Sequence, residues 1–413
     1  MLHLRRAMLT SRRATSRRAT SAVAGGALAS GALVGGALAA LLVAVPGTAI
    51  AGSVPAAASV RGTTLLGVSC TSASRCMAVG SRARTQSTTN PLAEIWTGGS
   101  WRIRATPRPA AAQSSLLIEV SCRTASSCVA VGSSTSKAKR TTAMAQAWNG
   151  TRWRMIPPAR PAGARSSEML DVSCTGSHGC MAVGDYRTRA GKTHPLSESW
   201  NGIGWRVLTT PDRHGAQAGI LDGIFCGGSR CKAVGFFQRN PSLLPGLAEA
   251  WNGTRWRVLA FPDPAGATFV DAQDVSCGAP SACVAVGLVT TPVPASLAER
   301  WHAGSWHLVR AAAASPPEAM LNGVSCAAST RCVAVGDSGN GPTLLAEAWN
   351  GSRWRVLKTP DPAATTSSFL NQVSCTSVRH CVAVGSRGSG TNVAALAEIW
   401  NGTSWQVLKT PGP

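Results

Sequence analysis

The chain has 413 residues, a formal net charge of +22, 14 Cys, 14 Trp and only one Tyr. Beyond residue 51 the sequence has no apolar run long enough to cross a bilayer, which excludes a protein with several transmembrane helices. The even cysteine count is typical of disulfide-bonded proteins outside the cytoplasm.

Residues 1–51 are predicted to be a signal peptide. Six arginines precede an apolar stretch at residues 22–45, and the small residues Ala49 and Ala51 have the spacing that signal peptidase recognises. Cleavage after Ala51 would release residues 52–413 as a secreted, extracellular protein. The alternative is an uncleaved anchor at the outer face of the cytoplasmic membrane, because the apolar stretch is nearly long enough to span it.

The rest of the chain is a sevenfold repeat. Each repeat has two cysteines and two tryptophans, the first cysteines recur at steps of 49 to 52 residues, and every Cys and Trp is used. A period near 50 residues is typical of propeller blades or solenoid turns. The tryptophan pairs are Trp96/Trp101, Trp148/Trp153, Trp200/Trp205, Trp251/Trp256, Trp301/Trp306, Trp349/Trp354 and Trp400/Trp405.

Each repeat predicts four short strands. In the sixth repeat "LNGVSC" and "CVAVG" are apolar and β-branched, and "LLAEAW" and "WRVLKTP" form a second pair. Four strands in about 50 residues make one blade, so the sequence predicts an all-β, seven-bladed β-propeller that spans residues 52–413 as a single domain. A β-solenoid with shorter coils is the alternative. The expected blades are about 60–109, 110–161, 162–213, 214–264, 265–313, 314–362 and 363–413.

The two cysteines of a repeat are predicted to face each other across the first hairpin and to form one disulfide per blade. Closing so small a loop stabilises the fold by about 2 kcal/mol per bridge. Zinc is the alternative, but metal knuckles need a tighter pair with a second pair nearby, so we expect neither a metal nor a cofactor. The predicted pairs are Cys70–Cys76, Cys122–Cys128, Cys174–Cys180, Cys226–Cys231, Cys277–Cys283, Cys326–Cys332 and Cys375–Cys381.

Asn-Gly lies between the third and fourth strands of five repeats. It predicts a two-residue type I′ turn, which needs positive φ at both positions. In the sixth repeat this turn places Ser352 opposite Trp349 and Glu347 opposite Trp354. The equivalent acid recurs in every repeat except the second, which has Gln146, and we predict that it satisfies packing and strand edges rather than catalysis. The other members are Glu94, Glu198, Glu249, Glu299 and Glu398.

The pattern "VSC…CVAVG…LAEAWNGSRW" resembles the blades of sialidase-like, Asp-box propellers, with Asn in place of the Asp of that box. It is also similar to paired-cysteine repeats of secreted actinobacterial proteins. The resemblance covers residues 52–413 and implies the fold alone. A sialidase needs a tyrosine nucleophile, an arginine triad and an acid, and the single tyrosine, Tyr186, has no such set around it.

Sequence variation among the repeats indicates where binding residues lie. The segments after "AVG" and after "TP" vary in length and content, and loops on a rigid scaffold usually carry function. Charge varies too: residues 52–259 hold 25 Lys and Arg against 9 Asp and Glu, whereas residues 260–413 hold 9 of each. The arginines that follow the second tryptophan are interpreted as strand positions and left out of the site.

The candidate binding residues are cations and aromatic side chains in the variable segments, a combination that suits polyanions. They are Arg82, Arg84, Lys137, Lys139, Arg140, Tyr186, Arg187, Arg189, Lys192, His194, Phe236, Phe237 and Arg239.

We therefore predict a non-catalytic binding or scaffold module for anionic extracellular polymers such as wall glycan, teichoic acid or acidic polysaccharide. It is expected to be a monomer with no membrane contact after signal cleavage. One alternative is an extracellular glycosidase or lyase, for which the acids outside the repeat pattern are the candidates: Asp185, Asp212, Asp263, Asp337 and Asp361. The other alternative is a protein–protein interaction platform, because propeller rims serve that role without a sequence signature.

Overall fold

The computed structural model describes residues 62–85, 88–175, 179–211, 213, 215–312, 318–338, 343–360, 365–389 and 392–412. The predicted signal peptide lies outside these ranges. The described part of the chain is built from 28 β-strands and has no helix, so the all-β prediction is confirmed. Accordingly, no helix among these residues could cross a membrane.

The strands form seven four-stranded units, which we call sheets 1 to 7. Sheets 1 and 2 contain β1 (Thr63–Ser72), β2 (Arg75–Thr85), β3 (Thr88–Trp96), β4 (Trp101–Arg104), β5 (Ala112–Thr124), β6 (Ser127–Ser136), β7 (Thr141–Trp148) and β8 (Trp153–Met155). Sheets 3 and 4 contain β9 (Ala164–Cys174), β10 (Cys180–Thr188), β11 (Thr193–Trp200), β12 (Trp205–Leu208), β13 (Ala218–Gly227), β14 (Arg230–Gln238), β15 (Gly246–Trp251) and β16 (Trp256–Leu259). Sheets 5 to 7 contain β17 (Phe269–Ala279), β18 (Ala282–Thr290), β19 (Pro294–His302), β20 (Ser305–Leu308), β21 (Met320–Ala328), β22 (Arg331–Asp337), β23 (Leu344–Trp349), β24 (Trp354–Leu357), β25 (Ser367–Ser377), β26 (His380–Ser389), β27 (Asn392–Trp400) and β28 (Trp405–Leu408).

Each sheet is antiparallel, and its strands pair in chain order. One parallel bridge, between Thr193 and Ala218, links sheets 3 and 4. In every sheet the two cysteines are direct cross-strand partners and form a disulfide, as the sequence predicted. Each bridge therefore joins the first strand of a sheet to its second strand.

Hydrophobic side chains fill the space between consecutive sheets. There is one cluster at each of the six junctions from sheet 1 to sheet 7, and a further cluster packs sheet 7 on sheet 1. In that last cluster Val382 and Val384 of sheet 7 contact the side of sheet 1 that contains Leu65 and Trp101. The sheets therefore follow one another around a ring.

A belt of hydrogen bonds runs through the first strands. The serine of the "VSC" motif accepts a hydrogen bond from the amide N–H of the first cysteine in the next sheet, at 2.9–3.0 Å, at six of the seven junctions. At the remaining junction, between sheets 4 and 5, Phe225 replaces the serine and packs against the core. Lys232 of sheet 4 also reaches sheet 5, donating to the carbonyl of Pro280 at 3.0 Å and lying 4.7 Å from the ring centre of Trp301.

The first and last sheets share no strand, yet specific bonds join them in addition to packing. The amide of Cys70 donates to Ser374 Oγ at 2.9 Å, and Asn371 Nδ2 donates to the carbonyl of Leu65 at 2.7 Å. A parallel bridge also pairs Gly62 with Val393. The junction between sheets 7 and 1 thus uses the same serine contact as the others.

Every first strand has a β-bulge four residues before its cysteine, as at Asn322 in sheet 6. The bulge brings a first-strand carbonyl against the glycine of "AVG" on the second strand. A Cβ atom on Gly336 would lie 1.9 Å from the carbonyl oxygen of Met320, and the other six glycines are equally crowded. The bulge therefore explains why every repeat has glycine at this position.

The predicted type I′ turn is wrong. Trp349 pairs directly with Trp354, and Glu347 pairs with Val356, so the connection is four residues long. Asn350 is its first residue, and only Gly351 has positive φ, at +97°. Asn350 Oδ1 closes the turn by accepting hydrogen bonds from the amides of residues 352 and 353.

We predict that Gly336→Ala lowers the free energy of unfolding by about 3 kcal/mol, since the added methyl group must displace backbone. Gly99→Ala is the control, because nothing lies within 4 Å of a Cβ built there, and it should stay within about 0.5 kcal/mol of the parent. Chemical denaturation with the disulfides intact measures both changes. Equal stability of the two variants would contradict the bulge account.

Candidate anion-binding site

The ring has two chemically different rims. The hairpin turns that join first to second and third to fourth strands lie at one rim, which we call the turn rim. The connections from second to third strands and from sheet to sheet lie at the other, which we call the variable rim. The variable segments identified in the sequence all fall on the variable rim.

A groove opens on the variable rim between sheets 1 and 2, with a volume of about 730 Å³. Three cationic side chains line it: Arg84 from the end of β2, Arg108 from the connection between the sheets, and Lys137 from the turn after β6. Among the described lining residues none is a carboxylate, and the remaining walls are Ala, Thr, Ser and Gln. The groove is therefore positively charged and uncompensated by its own walls.

Hydroxyl hydrogen bonds fix the two sheets beside this groove. The amide and the hydroxyl of Thr89 both bond to Ser114 Oγ, at 2.9 and 2.8 Å, and Thr89 Oγ1 also bonds to the carbonyl of Ser115 at 3.1 Å. The hydroxyl of Thr106 donates to the carbonyl of Pro91 at 2.8 Å. These bonds hold the connection in place, so the groove is formed before any ligand arrives.

Arg108 has an unsatisfied donor. Its Nη1 atom is fully enclosed and has no hydrogen-bond partner among the described residues. Leaving a charged donor unpaired in a buried position costs free energy. Sequence analysis omitted Arg108, although it lies in a variable segment after "TP", which was the signal available to find it.

The other predicted cations are spread along the variable rim rather than gathered at the groove. Two of them bond to backbone: Arg140 Nε donates to the carbonyl of Arg165 in sheet 3 at 3.0 Å, and Arg187 Nε donates to the carbonyl of Gly191 at 2.9 Å. The remaining five are exposed and lie outside the groove lining: Arg82, Lys139, Arg189, Lys192 and Arg239.

Tyr186 and His194 form a pair on sheet 3. They are cross-strand neighbours on β10 and β11, both partly buried, and their rings stack at 5.2 Å with an interplanar angle of 19°. One face of the tyrosine ring is therefore covered by the histidine, and it offers at most one face to a ligand.

The prediction that Phe236 and Phe237 are surface stacking platforms is wrong. Both are buried, at 8% and 6% exposure. Phe236 packs edge-on against Phe269 of sheet 5, and the guanidinium of Arg213 covers Phe237 at 5.0 Å from the ring centre. Their apolar rings belong to the core between sheets.

The ring axis contains an acidic cluster that sequence analysis missed. The residue that follows the bulge is an acid in three sheets, Glu119, Asp171 and Asp274, and all three are buried. Burial, and then the neighbouring carboxylates, raise the pKa values of Glu119 and Asp171, and burial raises that of Asp274 to about 6. This acidic position left no clear sign in the sequence, because three of the other repeats have glycine there.

Hydrogen bonds from backbone amides explain why acids can be buried at the axis. Asp171 accepts from its own sheet at Val172 and from sheet 4 at Ile224, and Asp274 likewise accepts from Val275 and Val324. A glycine in the preceding sheet makes room for Asp274: a Cβ on Gly223 would lie 2.7 Å from its Cα atom. These carboxyl groups join neighbouring first strands, and we assign them to the scaffold.

Glu119 is joined to sheet 7 across the gap that Gly67 leaves in sheet 1. Its Oε1 accepts from the amide of Val120 at 2.9 Å, and its Oε2 accepts from Gln372 Nε2 at 3.1 Å. A Cβ on Gly67 would lie 2.6 Å from Glu119 Oε1.

The glutamate repeated in the third strands is fully buried, and in sheets 3 and 6 it accepts a hydrogen bond from the connection that leads into its own sheet. Glu198 Oε2 accepts from the amide of Ala159 at 2.8 Å, and Glu347 Oε2 accepts from the amide of Ala312 at 3.2 Å. Gln146, the exception, donates instead to the carbonyl of Pro107 at 2.9 Å. The role predicted from the sequence, packing and edge satisfaction, fits these contacts.

Burial also raises the pKa values of these glutamates, to about 7 for Glu94, about 8 for Glu198 and about 9 for Glu299, where Asp263 adds to the effect. Among the described residues no group of three or more His, Cys, Asp or Glu is arranged to hold a metal ion.

No protein-family model and no curated protein matches the sequence. Solved structures do resemble the fold. A polysaccharide lyase of family PL25, an ulvan lyase, aligns with TM-score 0.53 and 8% identity over 81% of this chain and 91% of its own. YCF48 bound to a D1 peptide aligns with TM-score 0.49 and 12% identity over 81% and 93%. A fucose-recognising lectin from Aleuria aurantia, a six-bladed β-propeller, aligns with TM-score 0.43 and 13% identity over 71% and 94%.

At such low identity these likenesses concern the fold alone. The propeller architecture expected from the repeat is supported by the four-stranded sheets that follow one another around the ring. The resemblance to Asp-box blades and to actinobacterial repeats stays a prediction, since no family model matches.

We predict that the free energy of unfolding falls as pH rises between about 4.5 and about 9 because of Glu299. The folded chain keeps a proton that the unfolded chain releases above its ordinary pKa, so each pH unit in this window costs up to about 1.4 kcal/mol, and the loss ends above the folded pKa. Glu299→Gln should flatten the dependence, and denaturant titrations across this pH range measure it.

Gln146→Glu is the reciprocal variant. It places a carboxyl group against the carbonyl of Pro107, so it should steepen the same pH dependence. Identical slopes in the parent and both variants would contradict the account.

Proposed function

We propose that residues 52–413 form a secreted, seven-bladed β-propeller that binds an anionic extracellular glycan or wall polymer without catalysing a reaction. The sheet 1–2 groove is its binding site. The seven sheets, with the last packed on the first, support seven blades. The seven disulfides support a location outside the cytoplasm, where such bonds persist.

The convergence of Arg84, Arg108 and Lys137 on one groove is the observation that carries the proposal. Arg108 lines the groove, and its guanidinium can pair with a carboxylate, sulfate or phosphate that enters. Arginine forms paired hydrogen bonds with such groups, which favours planar or tetrahedral oxyanions over a diffuse negative charge. The Ala and Thr walls leave room for the rest of a polymer repeat.

A glycan-cleaving enzyme is the second candidate. Tyr186 stacked on His194 supports it, since both side chains can transfer protons and both lie on the variable rim. The test is incubation with acidic polysaccharides, followed by the appearance of new chain ends. Turnover that Tyr186→Phe and His194→Ala abolish would support this candidate, and the absence of turnover across the panel would remove it.

We predict that the protein is retained on an insoluble acidic polysaccharide and that retention falls at least about 10-fold between about 50 and 200 mM salt. The cationic side chains displace counterions from the polymer when they bind, and added salt opposes this release. The triple variant Arg84→Gln, Arg108→Gln, Lys137→Gln should lose this retention while unfolding at the same denaturant concentration as the parent. Pull-down across a salt series is the measurement.

The matched control removes the same three charges elsewhere on the variable rim, with Arg310→Gln, Lys358→Gln and Lys409→Gln. It should retain parental binding. Equal loss in the two triple variants would mean that net charge, and not the groove, is responsible, and the proposal would then fail.

A further inference from the structure

The turn rim differs from the variable rim in the sign of its charges. In the sequence, none of the hairpin turns of the turn rim contains Asp or Glu. Eight arginines lie in these turns or at the strand ends next to them, and all of them are exposed. They are Arg75, Arg123, Arg152, Arg230, Arg255, Arg331, Arg353 and Arg379.

The turns of this rim pack on one another and form a fixed surface. Within a sheet, the glycine of the second turn lies against the first turn, as Gly150 does against Ser126. Between sheets, a guanidinium nitrogen of Arg123 bonds to the carbonyl of Thr175. The first turns of sheets 5 and 6 also touch, because a Cβ on Gly278 would meet the backbone of Ala328.

Three of these arginines sit at the end of an identical turn. Asn149 Oδ1 accepts hydrogen bonds from the amide and hydroxyl of Thr151 and from the amide of Arg152, all at 2.9–3.0 Å. The turns that present Arg255 and Arg353 have the same three bonds. The asparagine therefore orders the backbone from which each arginine projects, so little backbone ordering remains to oppose binding.

The arginines are concentrated on alternate sheets. Sheets 2, 4 and 6 each have three at or next to the turns. Each has an "RWR" sequence whose first arginine ends the second turn, and a further arginine at a strand end next to the first turn. The sets are Arg123, Arg152 and Arg154; Arg230, Arg255 and Arg257; and Arg331, Arg353 and Arg355. Such an array suits a ligand that repeats its charge, since each further contact within one polymer is intramolecular.

The chemistry of the rim favours phosphate over sugar. Arginine binds phosphate through two parallel hydrogen bonds. Sugar rings are usually held by exposed aromatic faces, and beneath these turns the tryptophan pairs are buried or half-buried, with Trp148 and Trp153 at 4% and 5% exposure. No described Trp, Tyr or Phe at this rim is exposed.

We propose that the turn rim is a second binding surface, which takes a linear polymer of phosphate groups laid across the arginine sets of sheets 2, 4 and 6. This goes beyond the proposed function, because it uses the opposite rim and different residues. Because all charges in these turns are positive, the polymer is attracted in any orientation. The ordered turns hold the arginines at fixed positions along it.

The test uses long-chain inorganic polyphosphate as the probe and pyrophosphate at equal total phosphate as the short-chain control. The variant Arg152→Gln, Arg255→Gln, Arg353→Gln is compared with the control variant Arg310→Gln, Lys358→Gln, Lys409→Gln, which removes the same charge outside both proposed sites. We expect the parent and the control variant to bind the long chain and pyrophosphate to bind far more weakly. The turn-rim variant should lose at least about 10-fold in affinity, with its salt slope lower by about three.

Several outcomes would overturn this proposal. Equal losses in the two variants would reduce the effect to net charge, and full binding by the turn-rim variant would place the site elsewhere. Pyrophosphate binding as tight as that of the polymer would mean isolated anion sites. Tighter, rim-dependent binding to vesicles of anionic phospholipid, or to a sulfated polysaccharide, would assign the surface to that partner instead. Loss of polysaccharide retention in the groove variant bears only on the earlier proposal.

Discussion

The hydrogen bond from a cysteine amide to the serine hydroxyl of the preceding sheet is the contact on which the rest of the structure depends. At six of the seven junctions it fixes the position of one first strand along the next, and it recurs between sheets 7 and 1 through Ser374 and Cys70. The disulfide then fixes the second strand to the first at the same residue. Because both constraints act at one place in each repeat, the turns and connections beyond them project from a rigid ring.

The axis shows how the ring tolerates differences among its repeats. The bulge exposes a backbone amide next to the axis, and in two sheets an acid of the preceding sheet bonds to it: Asp171 to the amide of Ile224 and Asp274 to the amide of Val324. Gly223 makes room for Asp274, and Gly67 lets Gln372 reach Glu119. Junction 4–5 lacks the serine contact, and there Phe225 and Lys232 supply packing and a carbonyl contact instead. The two rims inherit this rigidity but differ in charge, mixed on one and purely cationic on the other.

The repeat allowed the architecture to be predicted, because its period, paired cysteines and strand patterns are all local signals. The register of the second hairpin was not predictable in the same way: Asn350 and Gly351 suggested a two-residue turn, and the asparagine side chain closes a four-residue one instead. The only sign of the bulge in the sequence is the glycine of "AVG". Sequence could identify cations in variable segments but not their convergence, so Arg84 and Lys137 were named without Arg108. Phe236 and Phe237 were misplaced because a strand extends further into the variable segment than its pattern indicated.

Hydrogen exchange of the first-strand amides tests the closed ring most directly. In the intact protein, exchange followed by mass spectrometry can compare the segment of residues 65–70 in sheet 1 with residues 321–326 in sheet 6, which has neighbours on both sides. A closed ring predicts comparable protection of the two segments, since the Cys70 amide is bonded to Ser374 as Cys326 is to Ser276. Rapid exchange confined to residues 65–70 would contradict it, and with it the rigid rims on which both binding proposals rest.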